Sequence, residues 1–130
     1  IPDSLPPGAV SATDYPDIVE LMVASDVGIT DYSSWICEYI HTGRPGVLHA
    51  PDMTKFSANE RAFYDPLDKM PFPLSTAADG LVDTVLGFDA NAYAQDSRKF
   101  LSDKVCVDDG RASARVADMI ESLLRDDFDV

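Results

Sequence analysis

The chain has 130 residues, with 23 acidic against 10 basic side chains and a formal charge of −13. That length is one domain or less, enough to bury roughly two-thirds of the unfolded surface. The first 43 residues hold seven carboxylates and no Lys or Arg, which makes nucleic acid and anionic membrane poor direct partners, since both need a basic footprint, and such an acidic surface also serves solubility alone.

Residues 1–8 carry three prolines and a glycine and read as a linker or a severed edge. Ala9 to Thr13 is expected as a short strand. Asp14-Tyr15-Pro16 supplies a helix start, with Asp14 or Tyr15 near the cap and Pro16 in the first turn. Ile18, Leu21, Met22 and Ser25 then fall at i, i+3, i+4 and i+7, a short helix packed on one side. Val27 to Thr30 is a β-type run that ends in the polar turn Asp31-Tyr32-Ser33-Ser34. A helix over Trp35–Thr42 follows, with Trp35, Ile36, Tyr39 and Ile40 as its packed face. Gly43 closes it, Arg44-Pro45 forbids continuation, and Gly46 to Ala50 reads as the next strand. Strand, helix, strand, helix, strand over residues 9–50 predicts βαβ units and a parallel sheet.

Residues 51–75 contain four prolines and are expected as a long functional loop, with room for a short helix around Lys55–Phe63. From residue 76 to residue 130 the pattern is helical. Thr76-Ala-Ala-Asp79 is read as the cap before Leu81, Val82, Val85 and Leu86. Asp89 is read as the cap of a helix over Ala90–Ser102. A last helix starts at Asp108-Asp109-Gly110 and repeats Ala112, Val116, Met119, Ile120, Leu123 and Leu124 at helical spacing. The fold class is therefore α/β: a Rossmann-like parallel sheet with flanking helices and a helical C-terminal segment, in a single partial domain.

The turn after Val27–Thr30 is the candidate site, because α/β proteins bind ligands outside the carboxyl ends of their strands. Free N–H groups at a helix start favour an anion, most simply phosphate. Ser33 and Ser34 serve there either as ordinary N-caps or as donors to that phosphate. Thr30 and Asp31 either shape the turn or touch the ligand. Asp109, Gly110 and Ser113 read as a helix start, with ligand contact as the alternative, and His41 and His49 as structural, with a general-base role as the alternative. Cys37 and Cys106 match no metal-ligand spacing, and Cys37 reads as a buried free thiol. No metal and no cofactor are expected. The absence of a leader or a membrane-length apolar run leads us to expect a piece of a larger intracellular protein.

The segment from Asp14 to Ser34, DYPDIVELMVASDVGITDYSS, resembles the CDP-glycerol glycerophosphotransferases, whose signature is similar to DYPDI-x-x-LL-x-x-SD-x-LITDYSS. Gly43-Arg44-Pro45, Pro51-Asp52, Arg61-Ala-Phe-Tyr64 and Asp109-Gly-Arg-Ala-Ser113 match further family motifs in the right order. The resemblance implies part of the C-terminal, nucleotide-binding half of a GT-B fold. It implies a transferase that moves glycerol phosphate from CDP-glycerol to a growing teichoic-acid-type polymer, with CMP leaving. It also implies the pyrophosphate on Ser33 and Ser34, a ribose contact or a merely solvated role for Glu38, and a phosphate contact or a surface ion pair for Arg61. The family's His-Pro motif is absent, so catalytic residues are expected upstream of Ile1. Gly28 stands where the family has a bulky aliphatic, and Phe72 where it has Gly between two prolines.

The implied partners are a nucleotide-diphosphate donor and, through a missing domain, a polyol-phosphate polymer acceptor. The implied location is cytoplasmic, at the inner face of a bacterial membrane, without membrane contact from this segment. A dimer through an exposed sheet edge is a further expectation. Two alternatives stand beside the enzyme: a non-catalytic interaction module with a vestigial nucleotide site, and a GT-B sugar-nucleotide transferase or epimerase.

Overall fold

The computed structural model describes residues 5–54 and 65–126. The chain divides into two compact units, Ile1–Ser97 and Arg98–Val130. The first holds a three-stranded parallel sheet in the order β1 (Gly28–Thr30), β2 (Gly46–His49), β3 (Leu74–Ser75). The register runs from Gly28↔Gly46 to Thr30↔Leu48, then Leu48↔Leu74 and His49↔Ser75. The parallel α/β architecture is as expected, but one strand is not. Residues 9–13 carry no strand, because their one bulky apolar side chain, Val10, is 90% exposed and the stretch has no face to bury. The third strand comes from inside the stretch expected as a loop. Pro73 and Ser75 carbonyls accept the N–H groups of Leu48 and Ala50 at 2.9 and 2.8 Å. A two-residue strand carries no readable period.

Helix α1 spans Ile18–Ala24, and its cap is Asp17, not Asp14 or Tyr15. Asp17 has the extended backbone an N-cap requires, and its Oδ1 accepts the Val19 N–H at 2.8 Å. Pro16 therefore precedes the cap. Of the expected stripe Met22 is buried, Leu21 and Ser25 are half-buried, and Ile18 is exposed. Helix α2 spans Trp35–Tyr39 and tightens into a 3-10 turn, Ile40–Thr42, that Gly43 ends at φ 68°. Its expected face holds: Ile36, Tyr39 and Ile40 are buried and Trp35 is half-buried. These side chains join Val47, Leu48, Ala50, Leu67, Phe72 and Tyr93 in the core.

Phe72, where a glycine was the family expectation, is a core residue. It is 4% exposed, and a Cβ on Gly46 would stand 3.0 Å from its Cδ1. The bare strand position and the large loop side chain fit each other. Helix α3 (Leu81–Leu86) starts at Gly80 without a side-chain cap, so the Thr76–Asp79 cap is corrected; the turn closed by Gly80 N–H on the Ala77 carbonyl starts it instead. Helix α4 (Ala90–Asp103) is capped as expected, Asp89 Oδ1 accepting from Asn91 and Ala92 at 2.9 and 3.0 Å. Helix α5 spans Ala112–Asp126. The helix expected around Lys55–Phe63 lies outside the described residues.

Candidate functional site

The turn Asp31–Ser34 leaves the sheet at the carboxyl end of β1. Thr30, the last strand residue, is half-buried and pairs in register with Leu48. Asp31 folds back on its own turn, Oδ1 accepting the Tyr32 N–H at 2.6 Å. Tyr32 Oη donates to Oδ1 of Asp52 at 2.5 Å, which joins the exit of β1 to the exit of β2. Burial, then that hydrogen bond, then the negative charges of Asp52 and Asp31 push the Tyr32 phenol up to about 12. It therefore remains a proton donor throughout the physiological range.

Beneath the turn lies a recess of about 200 Å³. Ile36, Cys37, Leu48, Leu67 and Met70 form its apolar lining, and Asp31, Tyr32, Ser33, Ser34 and Asp65 its polar one. Ser33 and Ser34 are exposed at this rim. Ser34 has helical angles, φ −67° and ψ −14°, and its side chain makes no cap bond. Among the described residues neither hydroxyl has a partner. Capping is thus not what Ser34 supplies. Because α2 has only five regular residues, its dipole adds little, and hydroxyl and turn N–H donors are what an anion would meet.

The expected site residues divide. Asp31, Ser33 and Ser34 come together at the recess. Thr30 and Glu38 do not line it; Glu38 is exposed on α2. Arg61 lies outside the described residues. The sequence reading missed Tyr32, Asp65, Leu67 and Met70, and left Asp52 as a bare motif match. The three-residue 3-10 turn Leu67–Lys69, which brings the loop to the recess, is too short to announce itself. Arg44 and Lys69 are the Lys or Arg side chains described between residues 5 and 97. Arg44 is committed to α1, where its Nη1 donates to the carbonyls of Val23 and Ser25.

Of the remaining candidates, His49 and Asp109 make contacts within the fold. His49 Nδ1 lies 3.2 Å from Ser75 Oγ across β2 and β3. Asp109 Oδ1 accepts the Arg111 N–H at 3.0 Å, and both its oxygens meet Arg115 Nη1, at 2.8 and 2.9 Å. Cys37 is half-buried rather than buried. Among the described residues, no group of three or more His, Cys, Asp or Glu is placed to hold a metal ion, and no helix is long and apolar enough to cross a membrane.

Residues 7–122 match the model of a family described as CDP-Glycerol:Poly(glycerophosphate) glycerophosphotransferase. The teichoic acid glycerol-phosphate transferase of Staphylococcus aureus is 32% identical over 111 residues, which are 83% of this chain and 28% of that protein. The teichoic acid ribitol-phosphate primase of Bacillus spizizenii is 37% identical over 113 residues, 86% of this chain and 28% of that protein. The solved wall teichoic acid polymerase TagF superposes with a TM-score of 0.75 at 29% identity, over 93% of this chain and 30% of that one. A TagF variant soaked with CDPG superposes at 0.73. TagF has a GT-B fold, and the present chain has the fold of part of it. The chain spans 28% of each of the two curated relatives.

Proposed function

We propose that this chain, which belongs to the CDP-glycerol:poly(glycerophosphate) glycerophosphotransferase family, forms part of the donor-nucleotide site of a teichoic-acid-type transferase. In the reaction, a hydroxyl at the growing end of the polymer attacks the β-phosphorus of CDP-glycerol. A new O–P bond forms, the bond to CMP breaks, and one glycerol phosphate is added. CDP-glycerol is a substrate here, so the chain's own part is to hold and orient the diphosphate.

One observation carries this reading: two serine hydroxyls without a partner among the described residues stand on the rim of a recess at the carboxyl ends of β1 and β2. Hydroxyl and turn N–H donors suit phosphate oxygens, and in a partly dry recess they stabilise charge more than they would in water. Rim carboxylates oppose that charge. The carboxylates of Asp31 and Asp65 both line the recess, so a cation is needed beside the diphosphate. We assign that role to Arg61, and a ribose contact to Glu38 once the nucleotide extends along α2. The proton acceptor for the attacking hydroxyl, the polymer site and attachment at the inner membrane face belong to parts of the parent protein outside this chain.

Identity of 37% to a ribitol-phosphate primase favours CDP-ribitol as a second donor reading. Calorimetric titration with CDP-glycerol, CDP-ribitol and glycerol phosphate tests both. Saturation by a CDP-polyol and none by glycerol phosphate is the expected result, and the tighter polyol identifies the donor. An equal response to all three, or no response, removes the donor-site reading.

A further inference from the structure

The hydrogen bond from Tyr32 Oη to Asp52 Oδ1 has no part in the reading above. The ladder between β1 and β2 ends at Thr30↔Leu48. Tyr32 lies two residues beyond the first strand's end and Asp52 three residues beyond His49, so the 2.5 Å bond closes the gap past the last rung. Tyr32 lines the recess while Asp52 does not, so the bond runs from the recess wall out to the neighbouring strand exit. The turn bearing Ser33 and Ser34 is thereby tied to the exit of β2.

Resting on the donor-site reading, we propose that Tyr32 and Asp52 are positioning residues: their hydrogen bond fixes the Asp31–Ser34 turn so that its hydroxyls and N–H groups meet the donor diphosphate already ordered. A loop that must order on binding loses affinity, and a loop ordered beforehand does not. The acceptor is a carboxylate, which makes the bond a strong one. The phenol, held protonated by its surroundings, does not lose the donated proton near neutral pH.

The test measures CDP-glycerol affinity and thermal unfolding of the whole chain carrying Tyr32→Phe, Asp52→Ala, both changes together, or Asp52→Asn. Binding is read well below every unfolding midpoint, where loss of stability alone leaves affinity unmoved. Tyr32→Phe and Asp52→Ala should each weaken binding up to about tenfold, the scale of ordering one side chain. The double variant should lose no more than either single one. Asp52→Asn, whose amide oxygen still accepts from the phenol, should stay within about twofold of the native chain. Unchanged affinity in Tyr32→Phe, additive losses in the double variant, or an Asp52→Asn as weak as Asp52→Ala would overturn the proposal. Should Tyr32→Phe fail to fold, the Asp52→Ala and Asp52→Asn pair decides alone. A native chain that does not saturate with CDP-glycerol overturns the donor-site reading and this inference with it, whereas a native chain that saturates beside an unaffected Tyr32→Phe overturns this inference alone.

Discussion

A Cβ built on Gly28 would stand 2.8 Å from Cε1 of Tyr39 and 3.1 Å from Cη2 of Trp35. The two rings, edge to face at 5.6 Å, occupy the space over β1 that an aliphatic strand residue would fill. Tyr39 cannot swing aside, because it is fully buried and its Oη donates to the Ser25 carbonyl at 3.0 Å. Gly28→Val should therefore cost about 1–3 kcal/mol through overpacking. With Tyr39→Leu added, the pair should cost less than the sum of the single changes, since both act on one volume. Denaturant unfolding of the four chains decides; strict additivity would show that the ring does not exclude the side chain.

The same pairing explains what was legible in the sequence. The parallel sheet, the buried face of α2 and the Asp89 cap rest on local patterns: apolar spacing, a stop at Gly43-Arg44-Pro45, and a carboxylate before a helix. Gly28 and Phe72 looked like departures because their partners, Tyr39 and Gly46, are reached only in three dimensions. The Tyr32–Asp52 bond spans twenty residues and leaves no local trace. The α1 cap was misplaced for a different reason: Asp14 and Asp17 are chemically equal, and it is Asp17 whose extended backbone aims its carboxylate at the Val19 N–H. At the site, the serines were found by type and position, whereas Asp65, Leu67 and Met70 were hidden in a proline-rich stretch without a period.

Ser33 and Ser34 separate capping from ligand binding. A working N-cap serine replaced by alanine costs about 1 kcal/mol. Ser34 makes no cap bond, so Ser33→Ala and Ser34→Ala should each change stability by less than about 0.5 kcal/mol. Their CDP-glycerol affinity should fall, most in the double variant. A chain that loses stability but keeps its affinity would instead favour a non-catalytic module.

Arg44 fastens the end of α1 to the turn into β2. Its Nη1 donates to the Val23 carbonyl, in the last helical turn, and to the Ser25 carbonyl, which also accepts from Tyr39 Oη, and its charge complements the helix dipole there. Arg44→Met keeps the aliphatic stem and removes the donors, so stability should fall by about 1–3 kcal/mol. Thermal unfolding that leaves the midpoint in place would mean water replaces the guanidinium without loss.

Val105 ends α4 in the left-handed region at φ 54°, the Cys106 N–H reaching back to the Leu101 carbonyl at 2.9 Å. A β-branched residue is strained in a position glycine favours, and the Val105 side chain is 78% exposed, so little burial is lost with it. Val105→Gly should stabilise by roughly 0.5–1 kcal/mol, the left-handed strain relieved less the added freedom of the unfolded chain. A lower unfolding midpoint would contradict this.

Asp109 gives the C-terminal unit a pH dependence. Its carboxyl is lowered from the usual 3.8, chiefly by Arg115 and then by the Arg111 N–H. A carboxylate whose folded pKa is depressed supports the folded form above its unfolded pKa, and that support is lost as pH falls through the folded value. The start of α5 should therefore hold at pH 5 and fray on acidification through the depressed pKa, below 3.8. Carboxyl titration of Asp109 by NMR, followed beside the Arg111 amide, checks both halves. The two should move together, and Asp109→Asn, which keeps a capping oxygen but carries no charge, should abolish the acid-dependent shift at Arg111. If Asp109 titrates at or above 3.8, or if the Arg111 amide moves with pH in the Asn variant as in the native chain, the ion pair with Arg115 does not hold this helix start in solution.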